Sequence, residues 1–160
     1  MSDRKLLVVP QDGSHWLSMR SVVQKLFDRG HEIVVVVPEI SLQFKNLDQF
    51  TVRTFSVPYP EEYIESLIKD YTKEVFEERT TVQNAVLMYD RLMNMTKFYI
   101  AGLMDLETRK FDAMLIDPVF PCGVILAKHL SIPSVFFLRG VLFRMVQEAT
   151  QVPSALSYVP

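Results

Sequence analysis

Two short segments of the sequence carry the residue types that general base catalysis requires. Residues 12–16 read Asp-Gly-Ser-His-Trp, and residues 117–122 read Asp-Pro-Val-Phe-Pro-Cys. A carboxylate bonded to one imidazole nitrogen fixes the tautomer of the ring and leaves the other nitrogen free to accept a proton. A pairing of His15 with Asp117 would therefore give a base able to deprotonate a hydroxyl group.

The same residues also have a purely structural interpretation. Ser14 is a favourable helix N-cap, in which case His15 covers a helix end and Asp117 caps the following helix. The helix dipole disfavours a charged imidazole in the first turn, whereas a neighbouring Asp117 carboxylate favours it. From the residues alone, the catalytic and the structural interpretations both stay open.

Strand and helix patterns predict the elements that position the two segments. Five short apolar runs predict strands at residues 5–9, 32–37, 51–57, 112–116 and 134–138. Apolar residues at three- and four-residue spacing predict a helix over 16–29 with Gly30 at its C-cap, and Pro121 opens another helix that ends near Leu130. Strands that alternate with helices indicate an α/β, doubly wound, Rossmann-like parallel sheet.

This fold class predicts where His15 and Asp117 meet. In open α/β sheets ligands bind beyond the carboxyl ends of the strands, where the strand order reverses; for the order 3-2-1-4-5 this lies between strands 1 and 4. His15 follows the first strand and Asp117 the fourth. Because adjacent strands lie about 4.8 Å apart, we expect a hydrogen bond between the two side chains.

A helical pattern over about residues 59–109 is far longer than a simple crossover between parallel strands needs. Four of the eight methionines lie within it, at positions 88, 93, 95 and 104. Methionines and aromatic residues suit core packing, and they also suit an apolar binding pocket. We interpret residues 1–160 as a single domain that carries this helical insertion.

Composition and charge exclude several partners. The 160 residues carry 17 basic and 19 acidic side chains without charged blocks, which predicts no nucleic-acid partner. A single cysteine and three scattered histidines predict neither a disulfide nor a metal site. Residues 12–16 lack the three spaced glycines of a dinucleotide fingerprint, so no NAD site is expected. No apolar run approaches the roughly eighteen residues that span a bilayer.

The remaining titratable side chains favour structural roles. His31 directly precedes a strand and His129 ends a helix, both ordinary positions at the edges of elements. Cys122 lies near a helix N-terminus, which can lower the pKa of a thiol, but no histidine is nearby in sequence to activate it. We therefore expect none of the three to take part in catalysis.

Further segments extend the two motifs into a pattern that covers nearly the whole chain. They lie at residues 9–18, 29–35, 111–122, 134–137, 139–140, 148–151 and 157–160. In this order the segments resemble the N-terminal domain of vertebrate UDP-glucuronosyltransferases. The resemblance is to the first subfamily, whose members share a C-terminal half and differ in this one.

The resemblance implies the N-terminal half of a GT-B glycosyltransferase, in which this domain holds a lipophilic acceptor and a C-terminal domain holds the UDP-sugar. His15 would be the catalytic base that deprotonates an acceptor hydroxyl such as that of a phenol, and Asp117 the carboxylate that orients it. UDP-glucuronate would be the cosubstrate, with no cofactor or metal in this chain. The substrate-binding residues would be Ser14, Trp16, Phe120, Leu138, Arg139 and Phe143.

The resemblance also implies a wider context. In the family the helical insertion lines the acceptor pocket and leans towards the endoplasmic reticulum membrane, on whose luminal face the parent enzyme works. Because the sequence shows no signal peptide, donor-binding domain or membrane anchor, we interpret the chain as a trimmed or engineered fragment, soluble and inactive alone. A scaffold or interaction fragment, and a transferase that uses another UDP-sugar, are the alternative functions.

Overall fold

The computed structural model of the chain describes residues 4–41, 44, 47–63, 65–66, 69, 80–104, 111–119 and 121–138. In this part of the chain, the strands and helices lie close to the positions that the apolar runs predict. The elements are β1 (Lys5–Val9), α1 (Ser14–Asp28), β2 (Glu32–Pro38), β3 (Thr51–Phe55), α2 (Thr81–Met104), β4 (Ala113–Ile116), α3 (Cys122–Leu130) and β5 (Ser134–Phe136).

The strands form one parallel sheet with the order β3-β2-β1-β4-β5, which confirms the predicted fold class and strand order. Every residue from 33 to 38 in β2 is buried, as expected for a strand covered on both faces. At the point where the order reverses, Val9 of β1 lies beside Ile116 of β4. The loops that follow these two residues therefore leave the same edge of the sheet side by side.

The start of α1 differs from the expectation. The N-cap is Gly13, with φ +81°, and Ser14 is already the first helical residue, so the prediction of a Ser14 N-cap is wrong. A positive φ is readily adopted by glycine and costly for a residue with a Cβ, which explains why the turn is made one residue earlier.

The end of α1 follows the prediction more closely. The C-cap is Arg29, and Gly30 follows with φ +90°. The Gly30 N–H donates to the Phe27 carbonyl and the His31 N–H to the Leu26 carbonyl, which is a Schellman motif. The chain is thereby redirected into β2 immediately after the helix.

One face of the sheet packs against α1. Trp16, Met19 and Val23 are each at most 1% exposed, and they meet the side chains of Val8 and Val35. Burying a side chain of this size contributes about 1.5–3 kcal/mol to folding. His15, in the first turn of α1, is therefore anchored to the sheet by a well-packed helix.

The opposite face packs against α2 and α3, where two glycines allow close approach. A Cβ on Gly123 would lie 2.0 Å from Ile116 Cγ2, so the first turn of α3 rests directly on the end of β4. A Cβ on Gly102 would lie 2.5 Å from Phe55 Cδ2, which brings α2 equally close to the end of β3. Both contacts lie near the edge of the sheet from which the His15 and Asp117 loops leave.

Helix α2 makes up most of the part of the predicted insertion that the structure describes. Its C-terminal half packs on the sheet through Leu103, which is fully buried, and through Tyr99. Its N-terminal half is exposed, with Val82 and Tyr89 at 72% and 62%. Among the helices of the described residues, none combines the length and apolar character needed to cross a membrane.

Candidate active site

His15 and Asp117 are in contact at the switch point of the sheet, the place between β1 and β4 where the strand order reverses. His15 Nδ1 lies 2.7 Å from Asp117 Oδ2, which confirms the expected hydrogen bond. The Asp117 side chain is 2% exposed, whereas that of His15 is 25% exposed. The carboxylate is thus enclosed by protein, and the imidazole reaches from it towards solvent.

The Asp117 carboxylate is held in place by the backbone around it. The backbone N–H of Asp117 donates to the Val9 carbonyl at 3.2 Å, which continues the pairing of β4 with β1 by one residue. Its Oδ1 accepts the Val119 N–H at 3.1 Å, so one carboxylate oxygen is bonded within its own loop. The other oxygen, Oδ2, is the one that contacts His15.

The backbone that carries His15 is fixed by a short turn. Asp12 Oδ1 accepts the Gly13 N–H at 2.7 Å, and the Leu17 N–H donates to the Gly13 carbonyl at 3.3 Å. Since an ionised carboxylate can only accept hydrogen bonds, the pairing with Asp117 places the ring proton on Nδ1. Nε2 is then the nitrogen able to take a proton from a bound molecule.

Of the six predicted substrate-binding residues, three are described. Ser14 is exposed at the start of α1, and Leu138 is partly buried beyond β5. Trp16 is 1% exposed and packs at 5.5 Å between ring centroids against Phe44, so its side chain belongs to the core under α1. Phe120, Arg139 and Phe143 lie outside the described residues.

A small cavity adjoins Asp117 at the carboxyl ends of β1, β2 and β3. Its volume is about 10 Å³, close to the minimum for one water molecule. Gln11 lies within the motif that carries His15 but was not predicted as a neighbour of the site, whereas Tyr99 belongs to the helical insertion. The lining residues are Val9, Pro10, Gln11, Val36, Pro38, Phe55, Tyr99, Leu103, Asp117 and Cys122.

Cys122 lies at the start of α3, yet its environment opposes ionisation. Burial raises the pKa of the Cys122 thiol to about 11, outweighing the backbone N–H groups of the helix start, which lower it. The side chain is 5% exposed. The expectation that Cys122 has a structural role therefore agrees with its surroundings.

We expect Cys122 to resist alkylation in the folded chain. At pH 8 a thiol with this pKa is ionised in roughly one molecule in a thousand, and only the thiolate attacks iodoacetamide. Mass spectrometry should show little labelling over an hour in buffer and complete labelling in urea. Equally fast labelling in both conditions would contradict the burial of this thiol.

The other two histidines lie away from the His15–Asp117 pair. His31 forms the end of the Schellman motif after α1, and His129 is exposed in the last turn of α3. Both positions agree with the structural roles expected for them.

Comparisons with known proteins place these features in context. The profile of a family described as "UDP-glucoronosyl and UDP-glucosyl transferase" matches residues 4–160. The chain is 41% identical over 166 residues to UDP-glucuronosyltransferase 1A6 of Homo sapiens and 41% identical over 169 residues to UDP-glucuronosyltransferase 1-2 of Rattus norvegicus. Each match covers 98% of this chain but 31% of the relative, so the chain spans about a third of their length.

A solved structure shares the fold. The calicheamicin glycosyltransferase CalG4 superimposes with a TM-score of 0.60 at 16% identity, over 94% of this chain and 37% of that protein. At this level of identity the likeness concerns the arrangement of strands and helices.

Proposed function

Since the chain belongs to the UDP-glucuronosyl and UDP-glucosyl transferase family, we propose that it forms the acceptor-binding and catalytic-base half of a UDP-glucuronosyltransferase. The complete enzyme would transfer glucuronate from UDP-glucuronate to a hydroxyl group of a lipophilic small molecule. The observation that carries this proposal is the 2.7 Å contact between a buried carboxylate and a partly exposed histidine at the switch point.

The proposed reaction is a displacement assisted by a general base. His15 Nε2 takes the proton of the acceptor hydroxyl while the acceptor oxygen forms a bond to the anomeric carbon of the sugar. The bond from that carbon to UDP breaks, and UDP leaves with the electron pair. Asp117 stabilises the imidazolium that forms, because its buried carboxylate lies against the Nδ1 proton.

The proposal includes two partners for this chain. Stabilising the departing UDP needs groups from a C-terminal, UDP-sugar-binding domain, and the relatives are about three times as long as this chain. UDP-glucuronate is the favoured donor because the relatives at about 40% identity are named UDP-glucuronosyltransferases. The family description also includes glucosyl transfer, so UDP-glucose is the alternative donor. In this proposal the complete enzyme works at the endoplasmic reticulum membrane.

A chimera tests the proposal. This chain replaces the corresponding third of human UDP-glucuronosyltransferase 1A6, and product from a simple phenol is measured by mass spectrometry. We expect glucuronide from the chimera, and none from this chain alone with UDP-glucuronate. A chimera that folds and binds UDP but forms no sugar conjugate would contradict the catalytic role and favour the scaffold alternative. Conjugates formed only from UDP-glucose would overturn the choice of donor.

A further inference from the structure

The cavity beside Asp117 is too small for an aromatic acceptor. It is lined mainly by apolar side chains from the ends of β1, β2 and β3, and its volume of about 10 Å³ suits one water molecule. Gln11 also lines it, and Gln11 Oε1 is a buried oxygen with no hydrogen-bond partner among the described residues. The space therefore adjoins Asp117, and its volume suits about one water molecule.

Tyr99 of α2 forms the wall that faces the strand ends. Its ring packs edge-on against Phe55 at 5.6 Å between centroids, and its hydroxyl lies near the side chain of Tyr59. Burial is the main reason why the pKa of Tyr99 lies well above its usual value, so this hydroxyl stays protonated. The ring is thus held in place by its aromatic contact with Phe55.

The backbone behind Tyr99 cannot move inwards to refill the space. One turn along α2, a Cβ on Gly102 would lie 2.5 Å from Phe55 Cδ2 and 2.6 Å from the Ser56 carbonyl oxygen. The helix lies so close to the end of β3 that a side chain at position 102 would collide with it. Where a wall cannot collapse, removal of a large side chain leaves a void.

From these contacts we propose that Tyr99 determines acceptor size, because its ring sets the depth of the cleft beside Asp117. This role rests on the proposed function, in which an acceptor hydroxyl lies at His15. With Tyr99 in place the cleft ends at its ring and holds about one water molecule, so a phenol ring would have to stay outside it. Without the ring, the cleft would extend along Phe55 and Val36, which also line it, by about the volume of the ring removed.

The test compares the binding of phenol and 4-phenylphenol to the chain and its variants, followed by NMR. Tyr99→Ala should bind 4-phenylphenol about tenfold more tightly than the unchanged chain, because a second ring becomes buried, while phenol affinity changes less than about threefold. Tyr99→Phe keeps the ring and should leave both affinities unchanged. Tyr89→Ala removes an exposed tyrosine from the same helix and is the matched control.

Two additions keep the test decisive. Tyr99→Leu retains an apolar contact with Phe55 and replaces the alanine variant if that variant unfolds. Benzene is a probe that needs no contact with His15. If Tyr99→Ala binds benzene and the signals of Val9 and Val36 shift, the ring of Tyr99 sets the depth of the cleft. If in addition phenol never reaches His15, only the proposed function is overturned. If neither benzene binding nor selective tightening appears in a folded variant, the role of Tyr99 is wrong.

Discussion

Replacing His15 with asparagine in the chimeric enzyme is expected to lower kcat/KM for phenols by about 10²- to 10⁴-fold. This corresponds to a barrier higher by about 3–5 kcal/mol. Asparagine can still donate a hydrogen bond to Asp117 from its amide nitrogen, but it has no second basic nitrogen to accept the acceptor proton. Turnover of the purified variant with a simple phenol measures the effect.

The choice of substitution separates chemistry from stability. His15→Ala would leave the buried Asp117 carboxylate without its partner, which costs about 1–3 kcal/mol of folding free energy, so a loss of activity could reflect unfolding. His15→Asn avoids most of that cost. His129→Ala removes an exposed histidine and should leave both turnover and thermal midpoint unchanged. An asparagine variant that keeps more than about a tenth of the turnover is incompatible with a base at this position.

Asp117→Asn is expected to reduce turnover by up to about 10⁴-fold, the loss found for the same change in serine protease triads. The amide can still accept the Val119 N–H through its oxygen. Its NH₂ group then faces His15 Nδ1 as a donor, which moves the ring proton to Nε2 and blocks that nitrogen as a base. The negative charge that stabilises the imidazolium is lost as well.

A matched control for this change lies at the other end of β4. Asp112 is exposed and accepts the Lys5 N–H at 2.7 Å, so Asp112→Asn changes the same chemical group far from His15. Kinetics of both variants should show a severe loss only for Asp117→Asn. Similar turnover in the two variants would mean that the Asp117 charge has no part in the reaction.

The sheet and the central contact were predictable because their signals are local. Short apolar strands that end at Pro10 and Pro118 define the edge of the sheet, and the usual strand order then brings His15 beside Asp117. The family resemblance in the segments around these residues agrees with the profile match over residues 4–160. The catalytic role of the pair remains a prediction.

The details that sequence reasoning missed depend on tertiary packing. The turn before α1 is made at Gly13 because the backbone there has a positive φ, a feature that a favourable capping residue at Ser14 conceals. The side chain of Trp16 was expected at the substrate and lies in the core, since α1 turns this face towards the sheet. Tyr99 belongs to the predicted helical insertion, and only tertiary packing decides that this turn of the helix lines the cavity beside Asp117.

The most direct measurement of the central claim is an NMR titration of the ¹⁵N-histidine-labelled chain with phenol, in which His15→Asn assigns the His15 signals. The account predicts that free His15 is protonated on Nδ1, towards Asp117, and that phenol shifts the Nε2 signal while leaving His31 and His129 unchanged. A proton on Nε2 in the free chain, or no response of Nε2 up to the solubility limit of phenol, would contradict the assignment of His15 as the base of an acceptor site.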